Sequence, residues 1–322
     1  MGHVESGARF LVALTVLALL LVLSAATDGY RLVTVRKDGL GDFTTVTDAV
    51  NSIPSGNSER VVVWIGFGVY REKIKIDRSK PMVTFQGEMG FFNQMPLITY
   101  NATALHYGTV ESATVAVESD YFIASNIAFE NSAPMPDEHS VGAQAVAMTI
   151  AGDNAVFSNC KFLGFQDTLC DDRGSHLFKN CYIRGTYDFI FGNGKSVYLR
   201  TTIESVTKGL SVITAQGRES LTDDTGFTFV DCNIIGGGNG NTYLGRAWKK
   251  SPRIVFANTY MGPLINSRGW LLDDQHPQSE SNQTIYYGEY MCFGPGAVPS
   301  GRVKFRKTMS YQDVLPFLSN AE

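Results

Sequence analysis

Two aspartates at a fixed interval are the residues of this chain best suited to chemistry. Asp167 lies in the phrase GFQDTL and Asp188 lies 21 residues later, in GTYDFIFG. On neighbouring strands of a sheet, about 4.8 Å apart, their carboxyl groups would be close enough for one charge to raise the pKa of the other. A neutral carboxylic acid beside a carboxylate can serve as a general acid next to a nucleophile. The alternative is a pair of exposed acids or a structural polar ladder.

Polar and aromatic residues elsewhere could complete such a site. Gln166 adjoins Asp167, and Gln144 precedes Gln166 by 22 residues, so their amides could bind a developing oxyanion. The phrase YLGRAW supplies Arg246, which could fix a carboxylate, and Trp248, whose flat ring could carry a sugar. Each also has a structural interpretation: an interior polar rung, a surface ion pair and simple packing, respectively.

The phrases around the aspartates are apolar, which favours a partly buried site over an idle surface pair. The aromatic and aliphatic neighbours are Phe165, Phe189, Ile190 and Phe191. Three other acid pairs are expected to be solvated loop residues: Asp171–Asp172, Asp223–Asp224 and Asp273–Asp274. The histidines show no paired zinc-ligand spacing, and neither a G-x-S-x-G elbow nor a P-loop occurs.

An internal repeat indicates which elements must position these residues. It reads aromatic, any residue, polar residue, two of any kind, then apolar. Copies begin at Phe157 (FSNCKF), Phe178 (FKNCYI), Tyr198 (YLRTTI), Phe229 (FVDCNI) and Phe256 (FANTYM), with a weaker copy at Ala124 (ASNIAF). A short strand recurring every 20 to 33 residues predicts a parallel β-solenoid. A β-sandwich remains the alternative, although its strands recur at closer spacing.

The repeat gives the two aspartates the same phase. Asp167 follows Asn159 by eight residues, and Asp188 follows Asn180 by eight. They are therefore expected on consecutive coils, side by side. Short helices are expected at both ends of the fold, one over DFTTVTDAVNSIP, where Thr44 or Thr45 could cap it, and one over SYQDVLPFLSN. The stretches RVVVWIGFGVY and EKIKI read as strands.

The N-terminal segment reads as a targeting signal. An apolar run over residues 10–26 follows Arg9 and ends in small residues typical of a cleavage site, so residues 1–26 are interpreted as a signal peptide. An uncleaved anchor helix is the alternative. Secretion would make Asn101 and Asn282 glycosylation sequons. The five cysteines, sparse and odd in number, do not describe a disulfide scaffold. A net charge of −4 gives no reason to expect nucleic acid or an anionic membrane as the partner.

At this point the chain resembles the pectin methylesterase (pectinesterase) family of plant cell walls. The phrases that carry the likeness are DGLGDFTTVTDAV, GVYREKI, GAQAVA, GFQDTL, GTYDFIFG and YLGRAW, in this order. The resemblance implies a right-handed parallel β-helix over residues 27–322 as one catalytic domain, secreted to the cell wall. It implies release of methanol from methyl-esterified homogalacturonan without a metal or other cofactor. It also implies that the chain is a monomer and that a proteinaceous inhibitor could bind it.

The resemblance assigns a role to each site residue. Asp188 matches the nucleophile, Asp167 the proton donor and later base, and Gln166 the oxyanion stabiliser. Gln144, which assists Gln166, and three further residues match substrate-binding positions: Thr109, Arg246 and Trp248.

Several positions depart from the family pattern. Ala247 replaces a usual Pro, Cys170 replaces a usual Tyr, and the loop over residues 132–144 is longer than usual. Thr201 stands where many plant members place the disulfide partner of the cysteine matching Cys181, so that bond is expected to be absent. No inhibitor-like pro-region is expected between the signal and the catalytic sequence.

Three alternatives remain open at this stage. A polygalacturonase would need carboxylates spaced to admit a water. A pectate lyase would usually need a calcium site, for which no compelling ligand cluster is evident. A relative that binds pectin without catalysis is the third.

Overall fold

The computed structural model describes residues 29–90, 94–137, 139–271 and 284–318. The proposed signal peptide, the Asn282 sequon and the Asp273–Asp274 pair lie outside these ranges. Within them, no helix is both long and apolar enough to cross a lipid bilayer. Asn101 is exposed.

The described strands stack into three parallel sheets, so the chain climbs a right-handed parallel β-helix, as the repeat and the resemblance predicted. Neighbours in each sheet belong to successive coils. Sheet A contains β1 Tyr30–Val35, β2 Arg60–Ile65, β5 Val83–Gly87, β8 Ile123–Ser125, β11 Ala155–Ser158, β14 Ser175–Lys179, β17 Lys195–Leu199, β20 Gly226–Val230, β23 Arg253–Ala257, β26 Tyr286–Tyr290 and β27 Lys307–Thr308.

The other two sheets complete each coil. Sheet B contains β3 Val69–Arg71, β6 Leu97–Tyr100, β9 Ala128–Asn131, β12 Lys161–Leu163, β15 Tyr182–Gly185, β18 Thr202–Ser205, β21 Asn233–Gly236 and β24 Tyr260–Met261. Sheet C contains β4 Ile74–Ile76, β7 Val115–Val117, β10 Met148–Ile150, β13 Leu169–Asp171, β16 Ile190–Gly192, β19 Ser211–Gln216, β22 Thr242–Ala247 and β25 Trp270–Leu271.

The sequence repeat marks the corner where the chain turns from sheet A to sheet B. Its polar third residue adopts a left-handed backbone conformation, which Asn and Asp tolerate better than most residues. The residues at this corner are Asn126 (φ 60°), Asn159 (52°), Asn180 (54°), Arg200 (50°), Asp231 (53°), Asn258 (49°) and Met291 (47°). One turn residue per coil therefore fixes the direction in which each strand of sheet B leaves.

The residue after each corner from Asn159 onward is a small hydrogen-bond donor. These residues form a column, which we call the corner column: Cys160, Cys181, Thr201, Cys232, Thr259 and Cys292. Each side chain donates to the carbonyl two residues earlier, at distances from 3.0 Å for Thr259 to 3.7 Å for Cys292. A short thiol or hydroxyl reaches this carbonyl without leaving the core, so the column satisfies backbone groups that the turn leaves buried.

The aromatic first residue of the repeat points inward and stacks on its counterpart one coil away. Ring centroids along the column Phe157, Phe178, Tyr198, Phe229 and Phe256 are separated by 4.8, 4.7, 4.5 and 4.5 Å, with nearly parallel planes. All five residues are buried. The rings therefore pack one per coil within a single continuous hydrophobic cluster.

Both ends of the core are covered. Helix α1, Val46–Asn51, is capped by Thr45 and buries its apolar face at the N-terminal end. At the other end Arg302 donates to Glu289 at 3.0 Å, and both are largely buried.

Helix α2, Ala104–Tyr107, and the 3₁₀ turn Val110–Ser112 lie between β6 and β7, and a 3₁₀ turn, Pro299–Gly301, precedes β27. Helix α3, Tyr311–Leu318, then packs Val314 on sheet A. Helices at both ends were predicted.

Asp171 corrects one expectation. It was expected in a solvated loop, but its side chain is fully buried and its Oδ1 lies 2.6 Å from His176 Nδ1. His176 Nε2 lies 2.8 Å from the carbonyl oxygen of Gly152, and the hydroxyl of Tyr198 donates to Asp171 Oδ2. Both ring nitrogens thus face acceptors, an arrangement that favours the protonated imidazole. Asp172 forms an ion pair with Arg173 and is only partly exposed, whereas Asp224 is exposed, as expected.

We predict that replacing one ring of the aromatic stack severely destabilises the protein. Phe178→Ala leaves a cavity between two rings that cannot close around it, so the free energy of unfolding should fall by about 3–5 kcal/mol in urea titrations. Phe293→Ala, at a residue that is 57% exposed, is the matched control and should cost about 1 kcal/mol or less. Equal losses in the two variants would contradict the stacking argument.

We also predict that His176 makes stability depend on pH. Burial alone would lower the pKa of His176, but attraction to Asp171 and the hydrogen bonds to Asp171 and Gly152 outweigh it and raise this pKa. The stabilisation is therefore complete below the ordinary histidine pKa and is lost as pH rises through the raised value. Urea unfolding between about pH 5.5 and pH 9 should show this decline in the wild type and in His106→Gln, an exposed control. A decline that persists in His176→Gln would refute the assignment.

Candidate active site

Asp167 and Asp188 occupy a second corner, where the chain passes from sheet B to sheet C. Asp167 lies between β12 and β13 and has φ 63°, while Asp188 lies between β15 and β16 and has φ 48°. The Asp167 N–H donates to the carbonyl of Tyr187 at 3.0 Å, which sets Asp167 and Asp188 in register on adjacent coils. The sequence prediction that the two aspartates are neighbours is confirmed.

A shift in register brings the two glutamines into phase. Strand β10 pairs with β13 at an offset of 21 residues. Just before this strand the carbonyl of Thr168 accepts from both Ala147 and Met148, and the N–H of Ala145 donates to the carbonyl of Gln166 at 3.1 Å. One extra residue is thus absorbed in the earlier coil, so Gln144 aligns with Gln166. Both glutamines are half-buried, and neither side chain forms a hydrogen bond with another described residue.

Arg246 binds Asp188 directly. Its Nε lies 3.0 and 2.9 Å from the two carboxylate oxygens of Asp188, and its Nη2 lies 2.5 Å from Oδ2. The pair is 58 residues apart in sequence but only two coils apart, since Phe191, Ala215 and Arg246 are consecutive register partners in sheet C. This contact favours the charged form of Asp188 and fixes the direction of its oxygens.

Asp167 has the opposite electrostatic environment. It is 9% exposed. Burial and then the neighbouring charge of Asp188 raise its pKa well above the ordinary aspartate value, and Arg246 only partly opposes them. The geometry therefore favours the protonated form of Asp167 and the carboxylate form of Asp188.

Both aspartates open into one cavity of about 190 Å³. Of the residues proposed from sequence, this cavity brings together Thr109, Asp167, Asp188, Arg246 and Trp248. Gln144 and Gln166 are not in its wall but lie at the adjacent register position. Val110, Phe191 and Ala215 complete the lining and make part of it apolar. Among the neighbours expected to be apolar, Phe189 and Ile190 belong to the core instead.

Two of these lining residues were missed from sequence. Ala215 is the register partner of both Phe191 and Arg246, and aligning the coils in sheet C would have located it. Val110 belongs to the 3₁₀ turn Val110–Ser112, and its carbonyl accepts a hydrogen bond from Thr149 of sheet C at 3.3 Å. This turn lies outside the sequence repeat, so the sequence gives no clear indication that Val110 lines the cavity.

The side chain of Trp248 lies at the edge of the cavity and packs against Gly217. Its ring lies so close to Gly217 that a Cβ there would come within 2.9 Å of the indole. Phe191 contacts the indole edge-on, with centroids 6.1 Å apart. The side chain remains 40% exposed, so a rigidly held aromatic face borders the cavity.

The arrangement can perform acyl transfer. It provides an oriented carboxylate, a protonated carboxyl on the next coil, two amides whose hydrogen bonds are not taken by described residues, and an apolar wall. Over the described residues, no group of three or more His, Cys, Asp or Glu side chains is placed to hold a metal ion.

Comparisons with known proteins show which family the chain matches. A family model described as Pectinesterase matches residues 32–320. "Putative pectinesterase 63" of Arabidopsis thaliana is 47% identical over 285 residues, which cover 88% of this chain and 82% of that protein. "Pectinesterase 2" of Olea europaea is 47% identical over 281 residues, covering 87% of this chain and 75% of that protein.

Solved structures give the same result for the fold. "Pectin methylesterase from Carrot" superimposes with a TM-score of 0.78 at 33% identity and covers 88% of this chain and 90% of its own. The pectin methylesterase of Aspergillus niger gives a TM-score of 0.77 at 30% identity, covering 87% and 90% respectively.

We predict that replacing Asp167 by Asn destabilises the protein less than replacing it by Ala. The asparagine side chain would keep the left-handed corner and resemble the protonated carboxyl, so Asp167→Asn should change the free energy of unfolding by less than about 0.5 kcal/mol. Asp167→Ala should cost about 1 kcal/mol, because alanine adopts this conformation less readily. Chemical unfolding of both variants measures the difference. A larger loss in the Asn variant would contradict the assigned protonation state.

Proposed function

This chain belongs to the pectinesterase family of carboxylic ester hydrolases, which demethylate pectin, and we propose that it does so with Asp188 as nucleophile and Asp167 as acid and base. The observation that carries the proposal is the unequal environment of the two acids. The guanidinium of Arg246 holds Asp188 as an oriented carboxylate, whereas burial raises the pKa of Asp167 and keeps it protonated.

The first half of the reaction forms an acyl intermediate. An oxygen of Asp188 attacks the carbonyl carbon of the galacturonate methyl ester, and the carbonyl oxygen becomes a tetrahedral oxyanion. The amides of Gln166 and Gln144 donate hydrogen bonds to it, and each such donor typically contributes about 3 kcal/mol. As the intermediate collapses, Asp167 gives its proton to the departing methoxide, and methanol leaves.

The second half restores the enzyme. Asp167, now a carboxylate, takes a proton from water, and the resulting hydroxide attacks the acyl carbon. Asp188 leaves as a carboxylate, and Asp167 is again protonated. Arg246 returns Asp188 to its starting orientation through the same paired contact.

The remaining lining residues bind the polymer in this scheme. Trp248 offers its exposed ring to a sugar face, and Thr109 lines the same cavity as the aspartates. Val110, Phe191 and Ala215 supply the apolar surface on which the ester methyl rests.

We also propose where the enzyme acts and in what form. Residues 1–26 direct the chain to the cell wall as a signal peptide, and residues 27–322 act as one catalytic domain. Asn101 and Asn282 carry glycans. The mature protein is a monomer that needs no cofactor, and a proteinaceous inhibitor can bind it. Cleavage before residue 27 is checked by the N-terminal sequence of the secreted protein.

Removal of either carboxylate should abolish methanol release. Asp188→Asn removes the nucleophile and Asp167→Asn removes the proton transfer, so kcat should fall at least about 10³-fold in each. Methanol and oligomer length are assayed together on highly methyl-esterified pectin. Asp224→Asn, at an exposed surface ion pair, is the control. Near-normal turnover in either active-site variant, or shortened chains without methanol, would refute the proposal.

The pH dependence should report Asp167. Because donation to methoxide requires a protonated Asp167, kcat/KM should decline as pH rises through its raised pKa, well above pH 3.8. Initial rates of methanol release from about pH 4 to pH 10 test this. If kcat/KM did not decline at the alkaline end of this range, Asp167 would not be the acid.

A further inference from the structure

The corner column places two thiols on consecutive coils. The N–H of Tyr182 donates to the carbonyl of Cys160 at 2.9 Å, and Lys161 is the register partner of Tyr182, so Cys160 and Cys181 are direct neighbours. Both are almost fully buried, at 1% and 3% exposure. Burial first, and then interaction with the neighbouring Cys160, raise the pKa of the Cys181 thiol, in agreement with this register.

The spacing decides which cysteines could join. Neighbouring strands set the Cα atoms of Cys160 and Cys181 about 4.8 Å apart, within the range of roughly 4.4–6.8 Å that disulfides span. Thr201 separates Cys181 from Cys232, and Thr259 separates Cys232 from Cys292. Each of those thiol pairs is therefore two coils, about 9.6 Å, apart, beyond the roughly 7 Å limit.

The fifth cysteine is excluded by its direction. Cys170 pairs in register with Thr149 and Phe191 on the outer face of sheet C and packs in a small cluster with Val146 and Ala215. It is therefore separated from the corner column by the body of the coil. All five cysteines lie in the described residues, and only Cys160 and Cys181 can meet without a change of register.

We propose that Cys160 and Cys181 form a disulfide when the chain folds in an oxidising compartment. The two thiols lose two protons and two electrons, and a small-molecule disulfide such as glutathione disulfide is reduced to two thiols. The structure records both residues as thiols that donate to backbone carbonyls. Bond formation turns both sulfurs away from these acceptors and draws the Cβ atoms together by about 1 Å.

The bond would act on the coil that holds one catalytic acid. The segment between the two cysteines contains Gln166 and Asp167. The role suggested for the disulfide therefore rests on the proposed function, whereas its formation does not. Since the closed loop constrains the unfolded chain, the disulfide should resist thermal inactivation without altering turnover. Both sulfurs are in the core, so exchange must occur before the coil closes.

The test is direct mapping of the thiols. The full chain is secreted from a eukaryotic host, quenched in acid, denatured and alkylated without reductant, and its peptides are identified by mass spectrometry. The expected result is a Cys160–Cys181 linked peptide, with alkylated Cys170, Cys232 and Cys292. Alkylation of all five, or a different linked pair, would overturn the proposal.

Two matched serine variants give a second measurement. Cys181→Ser keeps the hydrogen bond to the corner carbonyl but cannot be linked, and its Tm should fall by roughly 5–10 °C. Cys232→Ser makes the same change elsewhere in the column and should leave the linked peptide in place and shift Tm by far less. Equal Tm values for wild type and Cys181→Ser would also overturn the proposal.

Methanol release is measured at room temperature on the same samples and is expected to be equal in the wild type and both variants. Absence of activity in all three proteins, with the linked peptide present in the wild type and in Cys232→Ser, would count against the proposed catalytic site and not against the disulfide.

Discussion

The left-handed corner is the constraint on which the rest of this structure depends. Where the chain turns from one sheet to the next, a residue that accepts a positive φ often makes the bend. Asn does so repeatedly between sheets A and B, and Asp167 and Asp188 do so between sheets B and C. The catalytic candidates are therefore also turn residues, and their side chains leave the coil at the point where the backbone bends most sharply.

Much of the fold could be read from the sequence because the corner repeats. Asn159 and Asn180 mark the same turn in two coils, and counting from them placed Asp167 and Asp188 side by side. The position of Gln144 needed one more fact, the extra residue absorbed before Met148. The spacing of 22 residues suggested the match, but only the backbone hydrogen bonds explain it.

What could not be predicted depends on loops of unequal length. Val110 reaches the cavity from a turn that has no counterpart in other coils, so no periodicity points to it. Asp171 was misplaced for a related reason. The adjacent acids Asp171 and Asp172 were expected in a solvated loop, but the strand continues to Asp171 and directs its carboxylate inward to His176. Local composition therefore gives the wrong burial for a residue whose side chain points the opposite way from its neighbours.

The contact between Arg246 and Asp188 has a consequence for how the chain matures. These two side chains meet only if the coils between them, carrying Phe191 and Ala215, have stacked without slipping by a residue. A one-residue slip would turn the guanidinium to the opposite face of its strand. Under the proposed mechanism, activity therefore requires correct stacking of these coils, and a molecule with a slipped coil would be inactive even if its core were otherwise compact.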